Sequence, residues 1–500
     1  MKTNSLVLLS CSALLTVGAI AGCSNASNSS NPGKASDTAP FEITLTSYAS
    51  SAPTGNEISQ AIEKYTNTKL NIQWVPTAAY DEKVNVMIAS NELPKLLRVR
   101  NDPSIRNAIQ SGIFWEIGPY LKDYKNLSAQ HPDNYSLSTF DEKRYGIPLF
   151  KNVGRTSIIY RKDWLDALGM KLPTNIDEWY NMLKAMTLND PDKNGKNDTY
   201  GIVLYKNYNQ GLSNLATRIA VSLGAPTKWE EQNGKFTPEF MTKVHFEVIK
   251  LFKRLYDEKL INQDFASFDE QESRNLFQAG KAGVIVNVSD NAKKFSEALQ
   301  KVQPNAVVDV ERLNGPAGIR VSGFPDGTSG YYLIPKDSVK TEAELRKVLD
   351  FMNKLLDPEM QTLLLRGIEG KHYKKTADNQ AEFIDYNLYV KEVQVFADTL
   401  LGIEGYSALP LKDSPIGAKG TKLEMEGQKY VVPNPTLTLN SATYTERGRE
   451  LDLIMEDAQT KFIMGKIDEA GYQAEIAKWQ KAGGEQMIKE YEKSFAKFKK

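Results

Sequence analysis

Phe41, Ile43 and Leu45 alternate with polar residues, Ile58, Ala61, Ile62 and Tyr65 then recur at helical spacing, and Leu70, Ile72 and Trp74 alternate again. Alternation marks a half-buried strand, and recurrence every three or four residues marks one face of a helix. The pattern therefore predicts a strand–helix–strand unit. Helical spacing resumes at Tyr80, Val84, Met87 and Ile88, and Leu96 to Val99 reads as a third strand after Pro94. Strands alternating with helices predict a parallel, doubly wound α/β sheet, whose ligands sit beyond the carboxyl ends of the strands. Those ends fall at Ser47-Tyr48, Trp74-Val75 and Arg100-Asn101.

Further along, Ser157 to Tyr160 reads as a strand, a helix is predicted from Thr174 through Met186, and Gly201 to Tyr205 reads as the next strand. A long helix over 239–258 keeps Phe240, Val244, Val248, Leu251 and Leu255 on one broad apolar face, so it is core. His245 lies within it and reads as a packed or solvated side chain. A strand at Tyr331 to Pro335 precedes a helix opened by the capping box Thr341-Glu342-Ala343-Glu344, with Leu345, Val348, Leu349, Met352 and Leu356 as its buried stripe. Two C-terminal helices, about 445–464 and 467–498, break at Met464-Gly465-Lys466.

The front of the chain has a different character. Lys2, an apolar run from Leu6 to Ile20 and the box Ile20-Ala21-Gly22-Cys23 form a lipoprotein signal peptide over 1–22. The run is shorter than the about 20 residues a helix needs to span a bilayer. Cleavage would expose Cys23 for a diacylglyceryl thioether and a further acyl chain such as palmitate. The other cysteine of the two, Cys11, lies in the removed segment, so no disulfide can form in the mature chain. Residues 24–40 carry no large apolar side chain, and 23–40 reads as a lipidated flexible tether with a mean reach of about 20–25 Å.

Charge and motifs exclude several classes. With 62 Lys and Arg against 62 Asp and Glu, nothing points to nucleic acid or an anionic lipid surface as partner. Walker, GxGxxG, HExxH and GxSxG motifs are absent, and three histidines give a triad or zinc site little to draw on. No catalytic residue is assigned.

The sharpest local pattern is Asp190, Asp192, Asn194 and Asp198 alternating around Gly195. Oxygen donors at alternate positions of a tight turn suit calcium, and Lys196 would add its backbone carbonyl. The twelfth position is Gly201 rather than a bidentate Glu. The alternative is an Asx-rich surface turn without an ion.

Tyr145-Gly146-Ile147-Pro148, the alternating Ser157 to Tyr160, Arg161-Lys162-Asp163-Trp164-Leu165, Gly280-Lys281-Ala282-Gly283 and Arg366 to Tyr373 together resemble family 1 extracellular solute-binding proteins of ABC importers. Within it, the chain is similar to the large-lipoprotein branch of alginate and fructooligosaccharide-binding proteins. The resemblance implies a two-lobed, type II periplasmic-binding-protein-like α/β fold with hinge crossovers near Asn152, Val284 and Gly330 and extra C-terminal helices. The lobes would be 41–152 with 284–329, and 153–283 with 330–500. It further implies a monomeric, lipid-anchored protein on the extracellular face of the cell membrane that hands an oligosaccharide to permease subunits. Calcium would be structural, on Asp190, Asp192, Asn194, Lys196 and Asp198, with Thr199 where relatives carry an acidic residue.

Sugar binding needs aromatic faces and planar polar edges. By position the candidates are Tyr48, Trp74, Tyr145, Tyr205, Tyr208, Tyr331 and Tyr373, with Asn152, Arg155, Asn287 and Glu369 for hydroxyls or an acidic sugar. Trp164, Trp179 and Trp479, on predicted helices, read as core; Trp115 and Trp229 stay open. The alternatives are a surface-anchored glycoside hydrolase or lyase, and a solute-binding protein for peptides or another non-sugar solute.

Overall fold

The computed structural model describes residues 39–49, 52–100, 103–323 and 330–498. The signal peptide, Cys23 and the tether up to residue 38 lie outside the described residues. Among the described residues no helix is long and apolar enough to cross a membrane.

The first sheet has five strands in the spatial order Thr68–Pro76, Phe41–Ala49, Leu96–Val99, Tyr331–Leu333, Gly146–Pro148. Phe41–Ala49 pairs in parallel with both neighbours, in register Phe41 to Thr68 on one side and Leu45 to Leu96 on the other. Tyr331–Leu333 runs antiparallel to both of its neighbours. The expected all-parallel sheet is thus mixed, because the fourth position is filled by a strand returning from far along the chain. Ile43, Leu45, Ile58 and Ile62 of the opening unit pack with Leu345, Val348, Leu349 and Met352 in one buried core.

The second sheet has the order Val308–Glu311, Thr156–Arg161, Ala282–Val288, Tyr200–Ile202. Ala282–Val288 is antiparallel to Thr156–Arg161 and parallel to Tyr200–Ile202. Its core joins Ile158, Trp164, Trp179 and Met186 to Val248, Phe252 and Leu255 of the helix Lys243–Asp257, and to Met455, Phe462, Tyr472 and Trp479 of the C-terminal helices. That core spans Ala442–Ile463 and Glu469–Trp479, with Tyr491 from Glu485–Phe498. The predicted second C-terminal helix is divided by Gly483, whose φ of 137° no helical residue adopts.

Sheet membership corrects two expectations. The return to the first sheet does not fall at Val284: the segment 284–288 is a central strand of the second sheet, held on both edges by main-chain pairing. The changes of sheet lie between Pro148 and Thr156 and between Ser322 and Tyr331. Residues 330–403 likewise do not join the second core, because the stripe Leu345 to Leu356, together with Phe396, Leu400 and Ile403, is buried against the first sheet. The chain re-enters the second half with the helix Pro415–Gly427, which packs on the helix Ala292–Val302 and the strand Val308–Glu311.

Candidate ligand cavity and the loop from Asp190

A cavity of about 240 Å³ opens where the helix Pro103–Gln110 of the first half meets the C-terminal helices of the second. Three local features build it. Asp452, Met455, Glu456 and Gln459 are spaced so that one face of the helix Ala442–Ile463 presents all four to the cavity. The hairpin Trp229–Gln232/Lys235–Pro238 turns through Asn233-Gly234, both at positive φ, the two-residue turn that matches strand twist. It sets Trp229 against Tyr491, ring centroids 5.2 Å apart and edge to face, while Phe240 meets Trp479 at 5.0 Å. Lastly, Ile105 and Ile109 anchor the helix Pro103–Gln110 beneath the first sheet, and Arg106 between them reaches the cavity.

The charged lining groups are largely matched. Glu239 is buried, and it accepts from Thr217 Oγ1 at 2.9 Å and pairs with Lys228 Nζ at 2.9 Å; His245 Nε2 lies 3.8 Å away. Burial alone would raise its pKa, but the Lys228 and His245 charges and the hydrogen bonds from Lys228 and Thr217 outweigh it and hold the carboxyl below its usual value. Glu456 pairs with Arg449 at 2.8 Å. Asn209 donates to Gln459 Oε1 at 2.8 Å and to the Glu456 carbonyl at 3.0 Å. Burial pushes the Asp452 carboxyl up to about 6. Aromatic faces with a few convergent polar groups are the make-up of a small-molecule site, and the faces suit sugar rings.

None of the eleven positions expected to bind ligand lines this cavity. Tyr208 is fully buried between Phe252 and Phe265, so it is core rather than a ligand face. Tyr331 and Tyr373 are buried too, the first in the sheet and the second in the hairpin Tyr373–Lys375/Ala381–Phe383. Trp74 packs edge to face on Phe396, and Tyr145 lies against Phe140. Tyr48 is contacted by the guanidiniums of Arg98 and Arg100, at 4.0 and 4.5 Å from its centroid. Asn152 bridges Glu424 and Gln428 at the crossover, Arg155 faces Asp290 at 3.8 Å, and Asn287 accepts from Asn291. Tyr205 is half-buried beside Leu215 and Asn287, and Glu369 is exposed and paired with Lys375. Trp479, read as core from its helix, is both buried and part of the cavity wall. The i, i+3, i+4, i+7 set Asp452, Met455, Glu456, Gln459 was the one visible signal for this site.

The loop from Asp190 holds its donors close together. Asn194 Nδ2 donates to Asp192 Oδ2 at 2.9 Å and to Asp198 Oδ1 at 3.1 Å. The backbone N–H groups of Asn194 and Gly195 donate to the two Asp190 carboxylate oxygens, at 3.0 and 2.9 Å, and Lys196 N–H donates to Asn194 Oδ1. Asp192 Oδ1 is buried without a hydrogen-bond partner. Burial, a hydrogen bond shared with Asp190 and the charge of Asp198 together push the Asp192 carboxyl up. Lys281 Nζ pairs with Asp198 at 2.5 Å, and the Thr199 hydroxyl is turned away to Met186 O at 3.0 Å. Among the described residues no three Asp, Glu, His or Cys side chains gather around one position fit for a metal ion.

The family pattern described as bacterial extracellular solute-binding protein matches residues 48–362. This chain belongs to that family. The family makes it a protein that binds a solute rather than one that transforms it. Among curated relatives, it is 35% identical to the polygalacturonan/rhamnogalacturonan-binding protein YtcQ of Bacillus subtilis (strain 168), over 99% of each chain. It is 36% identical to lipoprotein LipO of the same organism, over 95% of this solute-binding protein and 96% of the relative. Among solved structures, an alginate-binding protein, AlgQ2, solved without calcium ion, superposes with a TM-score of 0.62 at 18% identity, covering 91% of this chain and 98% of that one. That likeness establishes the two-sheet solute-binding fold.

Proposed function

We propose that this solute-binding protein captures an oligosaccharide outside the cell and hands it, unaltered, to the permease subunits of an ABC importer. The observation that carries the reading is the end-to-end likeness to a polygalacturonan/rhamnogalacturonan-binding protein. The cavity supports it: aromatic rings supply faces for sugar rings, and Asn209, Gln459 and the carboxylates supply edges for hydroxyls. Its lining comes from both halves of the molecule, so ligand would draw the halves together about the connections between them. Net affinity is then the contact energy left after closure, which requires the open form to be favoured without ligand.

The tether is part of the same reading. Cys23, lipidated after removal of residues 1–22, would hold the protein at the extracellular face of the membrane, in keeping with a lipoprotein as relative.

Calcium is proposed as a structural clamp. The donor types are those calcium takes: three carboxylates, the Asn194 carboxamide and the Lys196 carbonyl belong to one turn, and an added cation would offset the burial and the neighbouring carboxylates that push Asp192 up. Asn194 would have to turn its oxygen inward, and water would fill the place that Thr199 leaves. The ion would supply no chemistry to the ligand; it would stiffen the turn between the helix Ile176–Leu188 and the strand Tyr200–Ile202.

Thermal shift of the full chain against di- to hexasaccharides, with the sugar re-isolated afterwards, tests the proposal. A saturable rise in Tm with the sugar recovered intact is expected. No shift with any sugar, or recovery of cleaved sugar, would defeat it.

A further inference from the structure

We propose that Arg106 reads a carboxylate on the ligand, so that the sugar unit held in the cavity is a uronic acid. The inference rests on the oligosaccharide reading and narrows it. It begins from the pairing of charges around the cavity. Of the two lining cations, Lys228 is taken by Glu239 at 2.9 Å. Among the described residues Arg106 has no carboxylate within ion-pair reach: its Nη1 lies 3.5 Å from Asn440 Oδ1, and its guanidinium stands 5.3 Å from the Phe140 ring centroid. Asn440 is itself held, its Nδ2 by Asp141 and its backbone N–H by Ser494 Oγ at 3.0 Å. It can steady the guanidinium without neutralising it.

A guanidinium stays charged at any pH the protein meets, and its planar fork of donors matches a carboxylate in a bidentate pair. Among the described residues Asp452 is the lining carboxylate with no hydrogen bond or ion pair to another side chain, whereas Glu239 and Glu456 are both engaged. An acceptor of that kind suits ring hydroxyls. A uronic acid carries both features, one carboxylate and several hydroxyls on a ring with an apolar face.

Size and origin add to the argument. At about 240 Å³ the cavity lies below the about 300–1,000 Å³ of drug-sized pockets and fits one sugar ring rather than a chain. Arg106 comes from the first half, whereas Trp229, Asp452, Glu456 and Trp479 belong to the second. A carboxylate gripped by Arg106 therefore ties the two halves together, so recognition of the acid group and closure are one event.

The test is calorimetric binding by the full chain of trigalacturonate and of the same trimer with its carboxyl groups reduced to alcohols. The wild type should prefer the acidic trimer. Arg106→Gln should weaken that binding by about 10- to 100-fold, the usual worth of a charge-assisted hydrogen bond, and leave binding of the reduced trimer unchanged. Arg106→Lys, which keeps charge without the fork, should fall between the two. Arg106 is half-buried, so unchanged Tm of both variants confirms that they fold. Equal losses on both trimers, or an affinity of Arg106→Gln for trigalacturonate within twofold of wild type, would overturn the role of Arg106. Preference of the wild type for the reduced trimer would sink the uronic acid while leaving the oligosaccharide reading intact; failure to bind any sugar would remove both.

Discussion

Gly154 and Gly427 meet backbone to backbone: a Cβ on Gly154 would lie 2.2 Å from the Gly427 carbonyl carbon, and one on Gly427 would lie 1.8 Å from the Gly154 carbonyl oxygen. Gly154 sits in the crossover from the first sheet to the second, and Gly427 ends the helix by which the chain re-enters the second half. The first connection between the halves is therefore packed against the end of that helix without side chains between them. Gly154→Ala and Gly427→Ala should each lower stability by about 1–3 kcal/mol, the usual cost of forcing extra volume into a packed contact. A shift of the urea midpoint would report it, and an unshifted midpoint would mean that the contact is loose.

Acid should weaken the fold in two steps set by Glu239 and His245. Burial, only partly offset by the Glu239 charge, holds the buried His245 below its usual 6.5, so the unfolded chain takes up a proton there first and stability falls as pH drops below about 6.5. Glu239 is held below its usual 4.5, so its contribution is present above that value and is lost as pH falls through the folded pKa. His245→Gln should erase the upper step in a pH series of denaturant midpoints and leave the lower one. At pH 7, Lys228→Met should cost about 3 kcal/mol by leaving the Glu239 carboxylate buried without its cation, and adding Glu239→Gln should recover part of that loss.

Glu424 should act in the opposite direction. It lies at the Gly154 crossover, 3.3 Å from Asn152 Nδ2, and burial first, then the Asp290 charge, push it up to about 7 against the pull of Arg155 and Lys151. A carboxyl raised in the folded state contributes stability below its unfolded value near 4.5, and that contribution is lost as pH rises to about 7. Glu424→Gln should match the wild type at pH 4.5 and exceed it at pH 8. Parallel curves for the two proteins would mean that this carboxyl does not titrate differently on unfolding.

Calcium should raise the melting temperature of the full chain, and a chelator should reverse the rise. Asp192→Asn should abolish the response. Lys281→Gln should enlarge it, because the ammonium that competes for Asp198 is removed. Identical melting curves with calcium and with chelator would end the proposal for this loop.

Much of the fold was legible because strands and helices announce themselves by period. The opening strand–helix–strand unit, the capping box at Thr341, confirmed by Glu344 N–H donating to Thr341 Oγ1, and the buried stripe after it all follow from local pattern. The cavity was not legible in this way. Its residues lie at 106, 209–212, 228–240 and 434–491, and nothing local says that these segments meet. Aromatic identity misled as well, since Tyr208 follows a strand end in a polar stretch, yet it is sealed in the core.

By itself the sequence determined the alternation of strands and helices, the family, and the donor-rich turn at Asp190. All of these are carried by residues close together in the chain, where spacing alone sets geometry. Only the tertiary structure decided that Ala282–Val288 stays in the second sheet, that residues 330–403 return to the first, and that Arg106 faces an aromatic cavity of the other half. Those outcomes depend on which apolar stripes find each other across hundreds of residues. A stripe records that it must be buried, not against what.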